Sequence, residues 1–168
     1  LRTSLSFLRQ SSVALFSRLI SVAKASWGLK ERTTRILYKS VFLPRMGYAA
    51  SVWAERCMAQ YRHQTRANTA QRRPLLAMTG AYRTTSTMAL QVIAGVPPLD
   101  LELVRLAKIE RDKNAMRRGN KSASEVAGKA KQYYDTTIRL WQERWVASDK
   151  GRRTAIWFPD VRRRLERP

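Results

Sequence analysis

Between Glu55 and Asp100 lie 44 residues that contain six arginines and neither a lysine nor an acid. Five of those arginines, Arg62, Arg66, Arg72, Arg73 and Arg83, are candidate ligands for phosphate, and Thr84 follows the last of them. A guanidinium presents a planar fork of donors that matches phosphate oxygens better than a lysine point charge does. If the chain is helical here, the 3.6-residue repeat brings Arg62, Arg66 and Arg73 within ~40° of one another. That is a cationic stripe. Three arginines alone suit a solvated face equally well, but solvated faces usually mix signs, and the missing acids favour phosphate. The turn Tyr82-Arg83-Thr84-Thr85 offers further guanidinium and hydroxyl donors, with helix capping as the plain alternative for its threonines.

No other chemistry stands out. Phosphodiester chemistry with two metal ions needs clustered carboxylates, and the twelve acids here are scattered with no two adjacent. No glycine-rich phosphate loop, nucleophile elbow or His-Glu motif occurs. The single cysteine, Cys57, and the single histidine, His63, can form neither an intrachain disulfide nor a four-ligand zinc site. They read as an ordinary thiol and imidazole rather than a catalytic dyad, since no catalytic motif surrounds either in the sequence. The expectation is a binding surface with no catalytic and no metal-ligating residues.

The composition points the same way. A chain of 168 residues with 44% hydrophobic content can bury a core. Its 33 Lys and Arg against 12 Asp and Glu give a net charge of +21, which favours a polyanionic partner, nucleic acid first. The excess is not confined to a tail: residues 1–104 carry 15 bases and 4 acids, residues 105–168 carry 18 and 8. No apolar run approaches the ~20 residues of a membrane span, and the bases are not gathered on one face of an amphipathic anchor. No membrane partner is expected.

The elements that must position these arginines read as helices. Leu5, Leu8, Leu15, Leu19 and Val22 recur at helical spacing, and Gly28 after Trp27 offers a C-cap. The same acid-free start also has the character of a mitochondrial presequence. A second helix is predicted near residues 31–43, halted by Pro44. A third runs from Gly47 to about Arg73 and is broken or kinked at Pro74. Thr84-Thr85-Ser86 supplies N-cap chemistry for a short apolar helix with Ala89, Leu90 and Ile93, closed by Gly95. Pro97-Pro98 is a stiff link, and Asp100 is the predicted N-cap of a helix reaching Arg118. Ser122 and Glu125 have capping-box spacing. Tyr134, Ile138, Trp141 and Trp145 form a stripe that reads as core rather than as a base-stacking platform. Five to seven helices are expected, with a short irregular tail after Ser148.

Three blocks carry a family resemblance. Gln71-Arg72-Arg73, Leu75-Leu76, the run Thr79 to Thr87, Ala89-Leu90, Ala94-Gly95 and Pro98-Leu99 resemble a block that follows the reverse transcriptase domain in Pol proteins of arthropod non-LTR retrotransposons of the type-1 class. Upstream, Trp27-Gly28-Leu29, Leu37-Tyr38, Val41-Phe42, Pro44 and the run Tyr48 to Ala54 are similar to that family. Downstream, Trp141, Arg144-Trp145, Ser148, Lys150-Gly151-Arg152 and Phe158-Pro159-Asp160 resemble its closing segment. The resemblance implies a reverse transcriptase with an attached endonuclease, and places this stretch beyond the polymerase palm. The family's Tyr-Ala-Asp-Asp motif and its Cys/His knuckle are absent here, which implies a piece truncated at both ends. Pro74 departs from the pattern, which expects a helix-compatible residue.

The resulting expectations are a mostly α fold, a basic, thumb-like helical bundle over residues 1–98 with a helical and irregular linker over 99–168. The partners implied are RNA and DNA, as template–primer duplex and target, and the remainder of the polyprotein. No cofactor is expected in this chain, with Mg2+ implied for the parent polymerase, and the implied location is nuclear. A stand-alone RNA-binding protein of mitochondrial or ribosomal type is the alternative.

Overall fold

The computed structural model describes residues 10–11, 13–19, 21 and 31–165, and every regular element among them is helical. Residues 10–21, where described, are helical and place Phe16 in the core. The expected C-cap at Gly28 and most of the presequence-like stretch lie outside the described residues. The elements that follow are α1 (Glu31–Leu37), a π-helical turn (Tyr38–Phe42), α2 (Leu43–Met46), α3 (Ala50–Met58) and α4 (Tyr61–Thr79). Then come α5 (Thr87–Ala94), α6 (Leu99–Arg117), α7 (Ala123–Val146), α8 (Arg152–Trp157) and α9 (Arg162–Leu165). The expected mostly α class is the observed one.

Several local expectations need correction. Pro44 does not halt the second helix. The π-turn, closed by Leu43 N–H to Tyr38 O, resets the register so that Pro44 falls in the first turn of α2, where its missing N–H costs nothing. Pro74 does not break α4, which runs on to Thr79. An interior proline costs about 3 kcal/mol, but Gln71 before it and Leu75 after it are fully buried and hold the helix across the gap. The break comes earlier: the predicted 47–73 helix is two, parted where Gln60 is extended and Gln64 Nε2 donates to the freed Met58 carbonyl. Beyond Ser148 the chain is not irregular but forms α8 and α9, which carries the helix number past the five to seven expected.

Other signals read as they should. Ser86 caps α5 through Ala89 N–H, Gly95 ends it with φ of 60°, and Ser122 with Glu125 form the capping box of α7. Ile138, Trp141 and Trp145 are buried, whereas Tyr134 is 40% exposed and lies beside the Arg105 guanidinium rather than in the core.

Two apolar clusters hold the helices. The first joins Phe16, Tyr38, Phe42, Leu75, Leu90, Leu99 and Leu103, with Phe42 stacked on Tyr38 and edge-on to Phe16. The second packs Ile138, Trp141 and Trp145 of α7 against Ala89 and Val92 of α5 and against Val161. Residues on both sides of position 98 take part in each cluster. Among the described residues no single helix is long and apolar enough to cross a membrane; α5 and α6 qualify only as a pair bent by 57°.

A buried amide network threads the first cluster. Gln71 Nε2 donates to the Tyr38 hydroxyl (2.9 Å) and the Pro97 carbonyl (2.8 Å). Its Oε1 accepts from Gln91 Nε2 (2.8 Å) and Leu99 N–H (3.1 Å). All four valences of one carboxamide are thus engaged. Asn68 Oδ1 also accepts from Leu99 N–H, and Asn68 Nδ2 donates to Asp100 Oδ1. Asp100 is therefore not the cap of α6. Pro98 holds that position, and the caps are side chains of α4; the Asp100 carboxylate is instead committed to Asn68 and Arg144. Burial pushes the Tyr38 hydroxyl well above the ordinary phenol range, the Gln71 bond opposes it, and Glu102 adds a smaller upward push.

A second polar cluster joins α6 to α7. Asp112 accepts from the Lys121 ammonium and from the Tyr133 hydroxyl (2.9 Å). The Lys121 bond holds the Asp112 carboxyl below the usual carboxylate range, against the opposing effect of burial, and Tyr133 adds to the lowering.

Two outcomes follow. Gln71→Ala strands buried partners on three elements and should lower stability by about 3 kcal/mol, read from urea midpoints; a loss under ~0.5 kcal/mol, the range of a neutral surface change, would show that the network is not structural. A depressed carboxyl pKa stabilises the fold above the unfolded-state value and ceases to do so as pH falls through the folded-state value. Asp112→Asn should therefore be less stable than the parent near neutral pH, with the gap closing as the pH enters the acid range. A gap constant with pH would contradict this.

Candidate nucleic-acid interface

Helix α4 divides cleanly by face. His63, Ala67, Ala70, Gln71, Pro74, Leu75 and Met78 are buried, while Tyr61, Arg62, Thr65, Arg66, Thr69 and Arg73 are exposed. Gln71 lies ~180° around the helix from Arg62 by the 3.6-residue repeat, so the buried network and the arginine stripe sit back to back. The span from Arg62 to Arg73 is about 16 Å at 1.5 Å per residue. Thr65 and Thr69 donate their hydroxyl hydrogens to the Tyr61 and Thr65 carbonyls (3.0 and 2.8 Å), which leaves their oxygens as acceptors on the same face. Arg73 reaches back to Ser17 Oγ (3.3 Å), beside the first helical residues described.

The six candidates do not form one cluster. Arg62, Arg66 and Arg73 share the stripe. Arg72 stands about 100° off Arg73, is half-buried, and donates to Thr87 Oγ1 (3.1 Å) and to the Arg83 carbonyl. It is a strut between α4 and the turn that leads to α5. That turn starts at Gly80, the C-cap of α4, and is closed by Thr85 N–H to Tyr82 O (3.0 Å). Arg83 and Thr84 are exposed on it, beyond the far end of the stripe. Two tyrosines flank the set: Tyr82, already named as part of its turn, is 87% exposed, and Tyr61, which the sequence pattern did not single out, is 82% exposed. The signal was the dipeptide Tyr-Arg, present at 61–62 and again at 82–83.

The electrostatics of the surface follow from where the acids go. Six ion pairs occur among the described residues: Glu31–Arg35, Glu55–Arg111, Asp100–Arg144, Glu102–Arg105, Asp112–Lys121 and Glu143–Arg139. None involves the five candidate arginines. Glu110 accepts from Ser51 N–H at the start of α3, Glu125 from Ser122 N–H, and Asp160 from Arg162 N–H. At least nine of the twelve acids are thus engaged in holding the fold. Among the described residues no three His, Cys, Asp or Glu side chains converge to hold a metal ion. The donor set of the described residues does not fit a magnesium pair.

No protein-family model and no solved structure matches the chain. Relatives do. The Retrovirus-related Pol polyprotein from type-1 retrotransposable element R1 4 of Nasonia vitripennis is 32% identical over 95% of this chain and 42% of its own length. The Pol polyprotein from type-1 retrotransposable element R1 of Bradysia coprophila is 34% identical over 93% of this chain and 16% of its own length. The putative 115 kDa protein in type-1 retrotransposable element R1DM of Drosophila melanogaster is 33% identical over 95% of this chain and 16% of its own length. The chain thus spans less than half the length of these relatives. Alignments that cover 93–95% of the chain at 32–34% identity, in relatives from three insects, make it a segment belonging to the Pol polyprotein family of type-1 R1 retrotransposable elements.

Proposed function

We propose that this segment serves a non-LTR reverse transcriptase as a thumb-like grip on the nucleic-acid backbone during target-primed reverse transcription. In this reading the polymerase and endonuclease centres, with their Mg2+, belong to other parts of the polyprotein, and the work is done on chromosomal DNA in the nucleus. The partners are the template–primer duplex, the target DNA and the rest of the polyprotein. One observation carries the proposal: the exposed face of α4 presents Arg62, Arg66 and Arg73 with no ion-paired acid, within a 44-residue stretch that contains none. Backbone contacts position a protein on a duplex without reading its sequence, and such contacts need guanidinium groups on a rigid element. α4 is that element, since the Gln71 network fixes it from behind.

The test uses the full chain and fluorescently labelled RNA–DNA duplexes of unrelated sequence, with affinity measured against salt. Arg62→Ala and Arg66→Ala should each weaken binding to all duplexes alike and reduce the salt slope by about one unit. Unchanged affinity and slope in both would make the stripe a solvated face and overturn the proposal. Arg72→Ala should differ in kind: it removes the strut to Arg83 and Thr87 and should lower stability by about 1 kcal/mol, measured by thermal melting. An Arg72 variant as stable as the parent would show that the strut contributes nothing.

A further inference from the structure

Among the described tryptophans, Trp53, Trp141 and Trp145 are between 1% and 8% exposed, whereas Trp157 is 78% exposed. A large aromatic left in water calls for an explanation, because burying one is among the most stabilising things a helix can do. Looseness of the segment does not supply it. The residues on both sides of Trp157 are pinned. Trp145 Nε1 donates to the Phe158 carbonyl (2.9 Å), Gln142 Nε2 to the Pro159 carbonyl (2.9 Å), and Val161 N–H to Gln142 Oε1 (2.8 Å). Arg164 Nε donates to the Ile93 carbonyl (2.7 Å), and Val161 is fully buried. At the other end Gly151 has φ of 82°, and a Cβ there would meet the Trp145 ring at 2.9 Å. α8 is therefore clamped onto α5 and α7 with its Ala155 against the second core, and its other face is held outward.

That face has a definite composition. Arg153 and Trp157 are i, i+4 neighbours, as are Arg152 and Ile156, so the four side chains form one patch. All four are exposed. α8 contains no acid, none of its arginines is ion-paired, Lys150 stands just before it, and Arg162 and Arg163 follow close in sequence. Of the two acids nearby, Asp160 is taken up by Arg162 N–H, and Asp149 stands before Gly151.

We infer that α8 is a stacking platform for single-stranded nucleic acid, with the Trp157 indole receiving an unpaired base and Arg152 and Arg153 holding the phosphates on either side of it. An apolar face beside unneutralised guanidinium groups is complementary to a ligand that is at once planar, apolar on its faces and polyanionic. A single strand meets that description. A duplex does not, because its base faces are already stacked, and an apolar protein surface lacks the charge. The inference shares the premise of the proposed function that nucleic acid is the ligand, but assigns a different strand state to a different face.

The test compares the full chain with Trp157→Ala, Trp157→Phe and Arg153→Ala on labelled single-stranded RNA, single-stranded DNA and blunt duplex of equal length, by fluorescence anisotropy at fixed salt. Trp157→Ala should lose about tenfold in affinity for single strands, within the range of one base–aromatic stack, and bind duplex within about twofold of the parent, since duplex contacts lie on the phosphates. Trp157→Phe should keep most of the single-strand affinity, and Arg153→Ala should reduce it. Equal losses on single strand and duplex, or none on either, overturn the platform while leaving the α4 reading standing if the Arg62 and Arg66 variants behave as expected. Sedimentation of the parent and Trp157→Ala provides the last arm: a self-association lost in the variant with single-strand affinity unchanged would make the face a protein contact and overturn the inference. A chain that binds neither strand form overturns both readings.

Discussion

The Gln71 carboxamide is the interaction on which the arrangement depends. It sits inside α4 with no exposed surface, and its two N–H donors and two lone pairs are all spent on groups from other parts of the chain. Through it α4 is tied to the π-turn, to the Pro97 link, to α5 and to the start of α6. An apolar contact at this position would hold α4 near its neighbours but would let it roll about its axis. A four-way hydrogen-bonded amide does not, because each bond has a direction. The outward arginines inherit their orientation from the inward amide on the opposite side of the same helix.

The charge balance follows a division of labour. A chain at +21 must hold a compact state against its own repulsion. Most of its carboxylates lie where they neutralise a neighbour or cap a backbone N–H: Glu110 at the start of α3, Asp112 between α6 and α7, Asp100 between α4 and α7. The outward faces of α4 and α8 are thereby left cationic. Exposed pairs such as Arg139–Glu143 add little to stability; Asp100–Arg144 differs, since the carboxylate is 2% exposed and removal of its partners would strand a buried charge.

What could be read from the sequence was what depends on neighbours in the chain. The Ser86 cap, the Gly95 stop, the capping box at Ser122 and, Tyr134 apart, the apolar stripe of α7 are set within four or so residues and are found where the pattern placed them. What could not be read depends on distant partners. Asp100 has the chemistry of a cap, but Asn68 and Arg144 claim its carboxylate from 32 and 44 positions away. Pro74 looks like a break until the burial of Gln71 and Leu75 is known. The tail after Ser148 lacks a periodic pattern because α8 and α9 are one or two turns long and are held by Trp145, Gln142 and Ile93 rather than by their own propensity. The stripe of Arg62, Arg66 and Arg73 followed from helical spacing alone, whereas the separate duty of Arg72 required knowing where Thr87 and the Arg83 carbonyl lie.

The Asn68–Asp100–Arg144 chain of contacts also has a mechanical meaning. It links the middle of α4 to the first turn of α6 and onward to the last turns of α7, joining segments far apart in sequence by short, directional bonds. A tug on the arginine face by a strand being drawn past it would act on α4 as shear. That load would pass through the carboxylate into α7 and so to the closing helices, instead of peeling α4 away from the first core. Yielding would require pulling a buried charge off both its partners at once, a brittle failure rather than a gradual one. The two cationic faces are thus joined through one chain of directional bonds, from Asn68 by way of Asp100 and Arg144 to the helix whose Trp145 holds the Phe158 carbonyl.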